Sequence, residues 1–303
     1  MQLNTIYSSV INNVLYQNVD NILYEPSLSL LDNICYQLPY NFFVFTSNDP
    51  KQQYSINSNN VVSLQPDKQD FYDYKLNLCN NIEHHARPDT LANAYHINTI
   101  LMINTVKNYK KEDRYIISSN LKNTQKVFLN NTAYETLGKP DKSTIVSLGI
   151  PTEIFKIDTP VTSRKPVAIL DRTGAGSQIQ GMFAQHGVEC DIVDPINGLN
   201  IDGLNYTFNK YKTIIDLGDY CNINLLCALS CGCRAITLTQ NFVDCPFIER
   251  YNDIESLIRE ALQDKVLNQE QPQNYIEQNH NFNQFSNTMS HIFKHTYEEA
   301  YIL

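Results

Sequence analysis

Short apolar segments alternate with helix-like stretches along the second half of this 303-residue chain, and that alternation limits its fold more than any other feature. Residues 166–170, 190–193, 213–217 and 234–238 each read as a strand, too brief for a helix and bounded by small or polar residues. Between them lie helical candidates. One runs from the Gly174–Gly176 turn to His186 and is stopped by Gly187, a polar one lies near 206–211, and a third over 222–230 is closed by Gly232. Over 254–263, Ile254, Leu257, Ile258 and Leu262 recur at helical spacing. Nearly continuous apolar strands separated by helices belong to parallel sheets covered on both faces. A Rossmann-like domain is expected here.

The first half repeats the rhythm more faintly. Strands are expected at 21–24, 42–46, 61–64, 76–79, 99–103 and 115–118, and helices at 28–38, 88–96 and 124–130. Arg87-Pro88-Asp89 suits a helix start, since proline fits the first turn. The Asn/Gln/Ser-rich stretch 49–60 reads as a surface loop, and 139–166, with Pro140, Pro151, Pro160 and Pro166, as the crossover between domains. The aromatic tail from Tyr275 is helical in character. The expected fold class is α/β: two Rossmann-like domains, 1–150 and 151–303, with an interdomain cleft and a C-terminal helix.

Composition agrees with a folded chain. Hydrophobic residues make up 42%, and the 19 Tyr and 13 Phe are too many for a disordered one. Asn, at about one position in eight, carries much of the polarity. The Asn, Ile and Tyr bias suggests an AT-rich genome, such as that of a virus or phage. No apolar run approaches a membrane span, and the N-terminus lacks the basic and apolar regions of a signal peptide. The expectation is a soluble protein of the cytoplasm, a host's cytoplasm if viral.

Net charge is −9 overall, and it is uneven: residues 1–160 carry −2 and the remainder −7. An acidic second half is a poor grip for nucleic-acid phosphates. The basic residues Lys107, Lys110, Lys111, Arg114, Lys122 and Lys126 read as a solvated face. Of eight cysteines, Cys227, Cys231 and Cys233 cluster, but in an apolar run without a second ligand knuckle. Buried thiols serving as small hydrophobes explain them better than zinc.

Two stretches offer chemistry from the residues alone. Gly174-x-Gly176 follows a strand and opens a helix, which lets backbone N–H groups meet an anion. Ile179 stands where a dinucleotide fingerprint wants a third small residue. Arg172 sits just past the strand's C-terminal end, where ligands bind in open α/β sheets. In the first half, His84, His85 and Arg87 follow the strand 76–79 and precede the helix at Pro88. Histidine carries protons near neutral pH, so this group could serve an acceptor or a departing phosphate. A loop around a helix cap is the plainer reading.

The segment 217–238 carries a resemblance. Gly218-Asp219, then Asn222-Ile-Asn224-Leu-Leu-Cys227-Ala-Leu-Ser-Cys231-Gly232, resembles the donor motif of retaining, nucleotide-sugar-using GT-B glycosyltransferases, which reads Gly-Glu-Gly-Phe-Gly and then Leu-Glu-Ala-Met-Ala-Cys-Gly. The stretches 146–155, 168–172, 253–257 and 285–297 resemble that family's linker, its strand ending in Gly-Arg, its late Asp-x-Glu-x-Leu helix and its closing helix. The region 76–103 resembles its acceptor domain. The family's two donor-gripping glutamates, one at the sugar and one at the ribose, fall at Asp219 and Cys227, and its diphosphate-facing lysine falls at Ser177.

The resemblance implies transfer of a sugar from a nucleotide sugar to an unknown acceptor: a protein, a glycan or a modified DNA base. Arg172, with Gly174 and Gly176, would meet the diphosphate, helped by the helix start at Asn222 and Asn224. Asp219 would hold a sugar hydroxyl, and Cys227 would stand at the ribose position. His84, His85 and Arg87 would act from the N-terminal side, and no obligatory metal is implied. The lost Glu and Lys positions motivate an alternative, a catalytically inactive structural or interaction protein of the same fold.

Overall fold

A computed structural model of the chain describes residues 13–18, 41–46, 61–64, 76–79, 98–103, 124–171, 174–193, 201–217, 223–238, 245–263 and 270–299. They fall into two compact units, each α/β and each built on a wholly parallel sheet. The described residues to Ser147 together with those from Phe285 belong to the first, and those of Leu148–Gln284 to the second.

The first unit holds β1 (Asn13–Asn18), β2 (Asn41–Thr46), β3 (Val61–Leu64), β4 (Leu76–Cys79), β5 (Asn98–Ile103), β6 (Thr124–Phe128) and β7 (Ser143–Ile145). Their order is β3-β2-β1-β4-β5-β6-β7, a doubly wound sheet whose strand order reverses between β1 and β4. Ile100, Ile103, Val127 and Phe128 are wholly buried in it.

A strand that sequence reading did not expect lies at Asn13–Asn18, and the expected 21–24 falls outside the described residues, as do 28–38, 49–60, 88–96 and 115–118. Residues 124–128, expected as helix, form β6. Thr124 and Lys126 disguise the strand because they are polar yet buried. Lys126 Nζ donates to the carbonyl of Asp141 at 3.2 Å, and burial lowers its pKa. Helix α1 (Asn131–Thr136) follows, capped by Asn130 Oδ1 accepting from Ala133 N–H at 2.7 Å.

In the second unit the alternation predicts most elements to within about five residues, the strand at 248–250 being one it did not expect. They run β8 (Lys165–Leu170), α2 (Gly176–Gln185), β9 (Cys190–Val193), α3 (Ile201–Lys210), β10 (Tyr211–Asp216), α4 (Ile223–Ser230), β11 (Arg234–Thr237), β12 (Ile248–Arg250), α5 (Ile254–Ala261) and α6 (Glu270–Asn279). The sheet order is β12-β11-β10-β8-β9. One face buries Val167, Ile169, Ile215 and Ile236 against Ile179 and Phe183 of α2 and Leu257 and Ile258 of α5. Helices α3 and α4 pack on β10, and α6 packs on α4, so every residue of α4 is buried. The last described helix, α7, is Phe282–Glu299. None of the described helices is long and apolar enough to cross a membrane.

Arg164 holds the sheet's N-terminal edge together. It is buried, and its guanidinium donates to the carbonyls of Thr159, Phe208 and Cys231 and to Asn209 Oδ1, at 2.6 to 3.1 Å. Cys233 Sγ donates to the Phe208 carbonyl at 2.9 Å and Cys231 Sγ meets Asn205 Oδ1 at 3.4 Å. Burial raises the pKa of both thiols, that of Cys233 to about 12. These thiols act as small packed groups. Gly232 turns the chain with φ +79°, and a Cβ there would sit 2.8 Å from Ile157 Cδ1.

Candidate functional site

All five strands of the second sheet run the same way, so their C-terminal ends share one edge. From β8 the chain passes to β9 on one side, while β10 lies on the other. The connections leaving β8 and β10 therefore head to opposite sides of the sheet, the topological switch point at which open α/β sheets bind ligands. Two helices begin at that edge, α2 after β8 and α4 after β10.

The first loop carries a local device. Asp171 follows β8, and its Oδ1 accepts the Gly174 N–H at 3.0 Å while its Oδ2 accepts the Gly176 N–H at 2.9 Å. Gly174 has φ +78°, a conformation that glycine adopts without strain. Gly176 is buried, and a Cβ on it would lie 2.6 Å from Asp171 Oδ2. The anion met by this turn is thus the chain's own carboxylate. It faces the first helical turn, where negative charge is favoured.

The second loop leads to α4. Asp216 ends β10 and is wholly buried, and its carbonyl accepts the Thr237 hydroxyl at 2.9 Å. Asn224, the second residue of α4, is also wholly buried. Among the described residues neither its Nδ2 nor its Oδ1 has a hydrogen-bond partner. Cys227 lies three positions on, hence on the same helix face, and burial raises its thiol pKa well above the ordinary value. A neutral, buried thiol cannot hold a hydroxyl pair as a carboxylate would.

Of the residues singled out from sequence, Gly174 lies in the turn after β8, Gly176 opens α2, and Asn224 and Cys227 lie in α4. His84, His85, Arg87, Arg172, Asp219 and Asn222 lie outside the described residues. Sequence reasoning missed Asp171 as a clamp, although an Asp three residues before a glycine is a familiar turn signal. It also passed over Asp216, the one charge among apolar neighbours in Ile-Ile-Asp-Leu. Among the described residues no three His, Cys, Asp or Glu side chains converge in a way that could hold a metal ion.

No protein-family model matches this chain, and no curated protein matches it by sequence. Solved structures do. HepE of Anabaena, solved with UDP-glucose, superposes with a TM-score of 0.66 at 11% identity, over 93% of this chain and 99% of that one. A glycosyltransferase from Rickettsia africae matches with 0.59 at 11%, over 94% and 98%. The lipopolysaccharide outer core galactosyltransferase WaaB matches with 0.55 at 11%, over 93% and 99%. At such identities the likeness establishes the architecture alone, and the architecture is that of the GT-B glycosyltransferases.

Proposed function

We propose that this protein is a glycosyltransferase that moves a sugar from a nucleotide-sugar donor to an acceptor. The observation that carries this reading is a likeness running nearly end to end with HepE, a protein solved with UDP-glucose. The switch point at the C-terminal edge of the second sheet supports it. A fully buried side-chain amide, without a hydrogen-bond partner among the described residues, lies in the first turn of the helix that begins at that edge.

In this reading the second unit takes the donor. Arg172 neutralises the diphosphate that departs with the nucleotide, and the first N–H groups of α4, near Asn222, add partial positive charge. Asp219 accepts from a hydroxyl of the transferred sugar. Asp171 already fills the Gly174–Gly176 turn, which leaves the diphosphate to Arg172 and α4. From the first unit, His84, His85 and Arg87 serve the acceptor. A glycan, a protein and a modified DNA base all offer the hydroxyl that the chemistry needs.

Thermal-shift binding against UDP-, GDP-, ADP-, CMP- and TDP-sugars tests the reading. A ligand at a hundred times its dissociation constant stabilises the fold by roughly 2.7 kcal/mol. One nucleotide should raise the melting temperature, and Arg172→Ala should remove that rise. A flat panel on well-folded protein would sink the transferase and leave a non-catalytic protein of the same fold.

A further inference from the structure

A fully buried carboxamide with neither its N–H donors nor its carbonyl acceptor satisfied is costly, and native proteins rarely keep one without a reason. Asn224 is such a group. Its place compounds the oddity. Residue 224 lies in the first turn of α4, beside the end of β10, where the strand order reverses. An alkyl residue would pack that position at no polar cost, and Ile223, Leu225 and Leu226 on either side are alkyl.

The missing partner can be characterised from the atoms left over. Nδ2 needs an acceptor and Oδ1 needs a donor, within the width of one amide. A phosphate supplies acceptors only and would repel Oδ1. An ammonium or a metal cation supplies no acceptor for Nδ2. Two adjacent hydroxyls fit, because one can donate while the other accepts. Cys227, on the same face, cannot take this task, since a neutral thiol is only a weak donor and a weak acceptor.

We propose that the side-chain amide of Asn224 recognises a vicinal hydroxyl pair of the donor, with Oδ1 accepting from one hydroxyl and Nδ2 donating to the other. This rests on the nucleotide-sugar reading above. The pair could belong to the nucleotide's ribose or to the transferred sugar, and the experiment separates them. Asn224 would be a specificity-determining residue, setting which donors are held.

The test measures the affinities of UDP, ADP and GDP, of their 2′-deoxy counterparts and of their glucose esters. Wild type is compared with Asn224→Leu, which is close in volume, and with Asn224→Ala, should the leucine variant fail to fold. If the ribose is read, wild type favours a ribonucleotide over its deoxy form by about tenfold, and the variants bring that ratio to about one. If the sugar is read, the advantage of the glucose ester over the bare diphosphate shrinks instead. In either case the ligand-free leucine variant melts at or above wild type, because an unsatisfied amide has been replaced by an alkyl group. Unchanged ratios in both variants, or a lower melting temperature with binding intact, would overturn the role of Asn224 and leave the transferase reading standing. Wild type that binds none of the nine probes would overturn both.

Discussion

The clamp formed by Asp171 makes a sharp quantitative test through Gly176→Ala. The added Cβ would lie 2.6 Å from Asp171 Oδ2 and 2.8 Å from its Cβ and Cγ. All three belong to one short side chain, which can escape only by leaving the N–H groups of Gly174 and Gly176. Each hydrogen bond to a charged group is worth about 1.5–3 kcal/mol, and water reaching the half-buried carboxylate returns part of that. Alanine in a helix recovers roughly 0.5–1 kcal/mol over glycine. The net expected cost is about 1–3 kcal/mol. In an Asp171→Gly background, which removes the Cβ together with the carboxylate, the obstacle is gone, so the same substitution should turn neutral or slightly stabilising. Urea unfolding of the four proteins, followed by circular dichroism and compared only where m-values agree, closes the cycle. An equal cost of Gly176→Ala in both backgrounds would refute the clamp.

Four more outcomes are expected. Arg234, buried, holds Glu249 through two bonds of 2.6 Å and donates to the carbonyls of Glu260 and Gln263, so Arg234→Ala should cost about 3–5 kcal/mol by urea unfolding. Arg234→Met with Glu249→Leu should cost less, because no charge is left behind. Burial lowers the His280 pKa, against a smaller opposing contribution from the bond between Nδ1 and the Leu148 carbonyl. The unfolded chain then binds more protons, so stability should fall as pH drops below about 6.5, and His280→Phe should flatten that limb of a melting-temperature profile. Hydrogen bonds from Ser256, its backbone N–H first and then its hydroxyl, lower the Asp253 pKa. That contribution is present above the unfolded value of about 3.9 and lost as pH falls through the folded one, a loss that Asp253→Ala should abolish in acid titrations. Finally, Cys227, Cys231 and Cys233 should resist alkylation at pH 8 until the protein unfolds, as peptide mass spectrometry would show.

How far the fold could be read from the chain depended on who carried the burial. In the second unit, strands such as Val167–Leu170 and Thr213–Asp216 bury apolar side chains on both faces, so pattern and structure coincide. β6 escaped because Thr124 and Lys126 are buried while polar, the lysine satisfied by a carbonyl fifteen residues away. β12 escaped because two of its three residues are charged, and what holds Glu249 is Arg234 on the neighbouring strand. At the site, the Gly174–Gly176 turn was visible as spacing, but its occupant was not. Asp171 reads as an interruption until the turn is folded and its carboxylate meets two N–H groups. Asn224 was legible as a helix start. Its unmet hydrogen bonds were not, since they depend on the burial of the whole of α4.

The path of the chain has a bearing on how this protein is made. The described chain leaves the first unit after Ser147 and rejoins it at Phe285, so the second unit sits within the first like a clause in parentheses. Its two ends are tied to each other. The Ile150 N–H donates to the His280 carbonyl at 2.8 Å, and Ile150 pairs with Asn281 in a parallel bridge. During translation the part of the first unit made before the second therefore waits for the helix made after it, while the second can finish and seal itself beforehand. A nick or truncation past Phe285 should injure the N-terminal unit and spare the one nearer the cut. Residues 148–284, expressed alone, should emerge as a folded body with its loose ends already fastened.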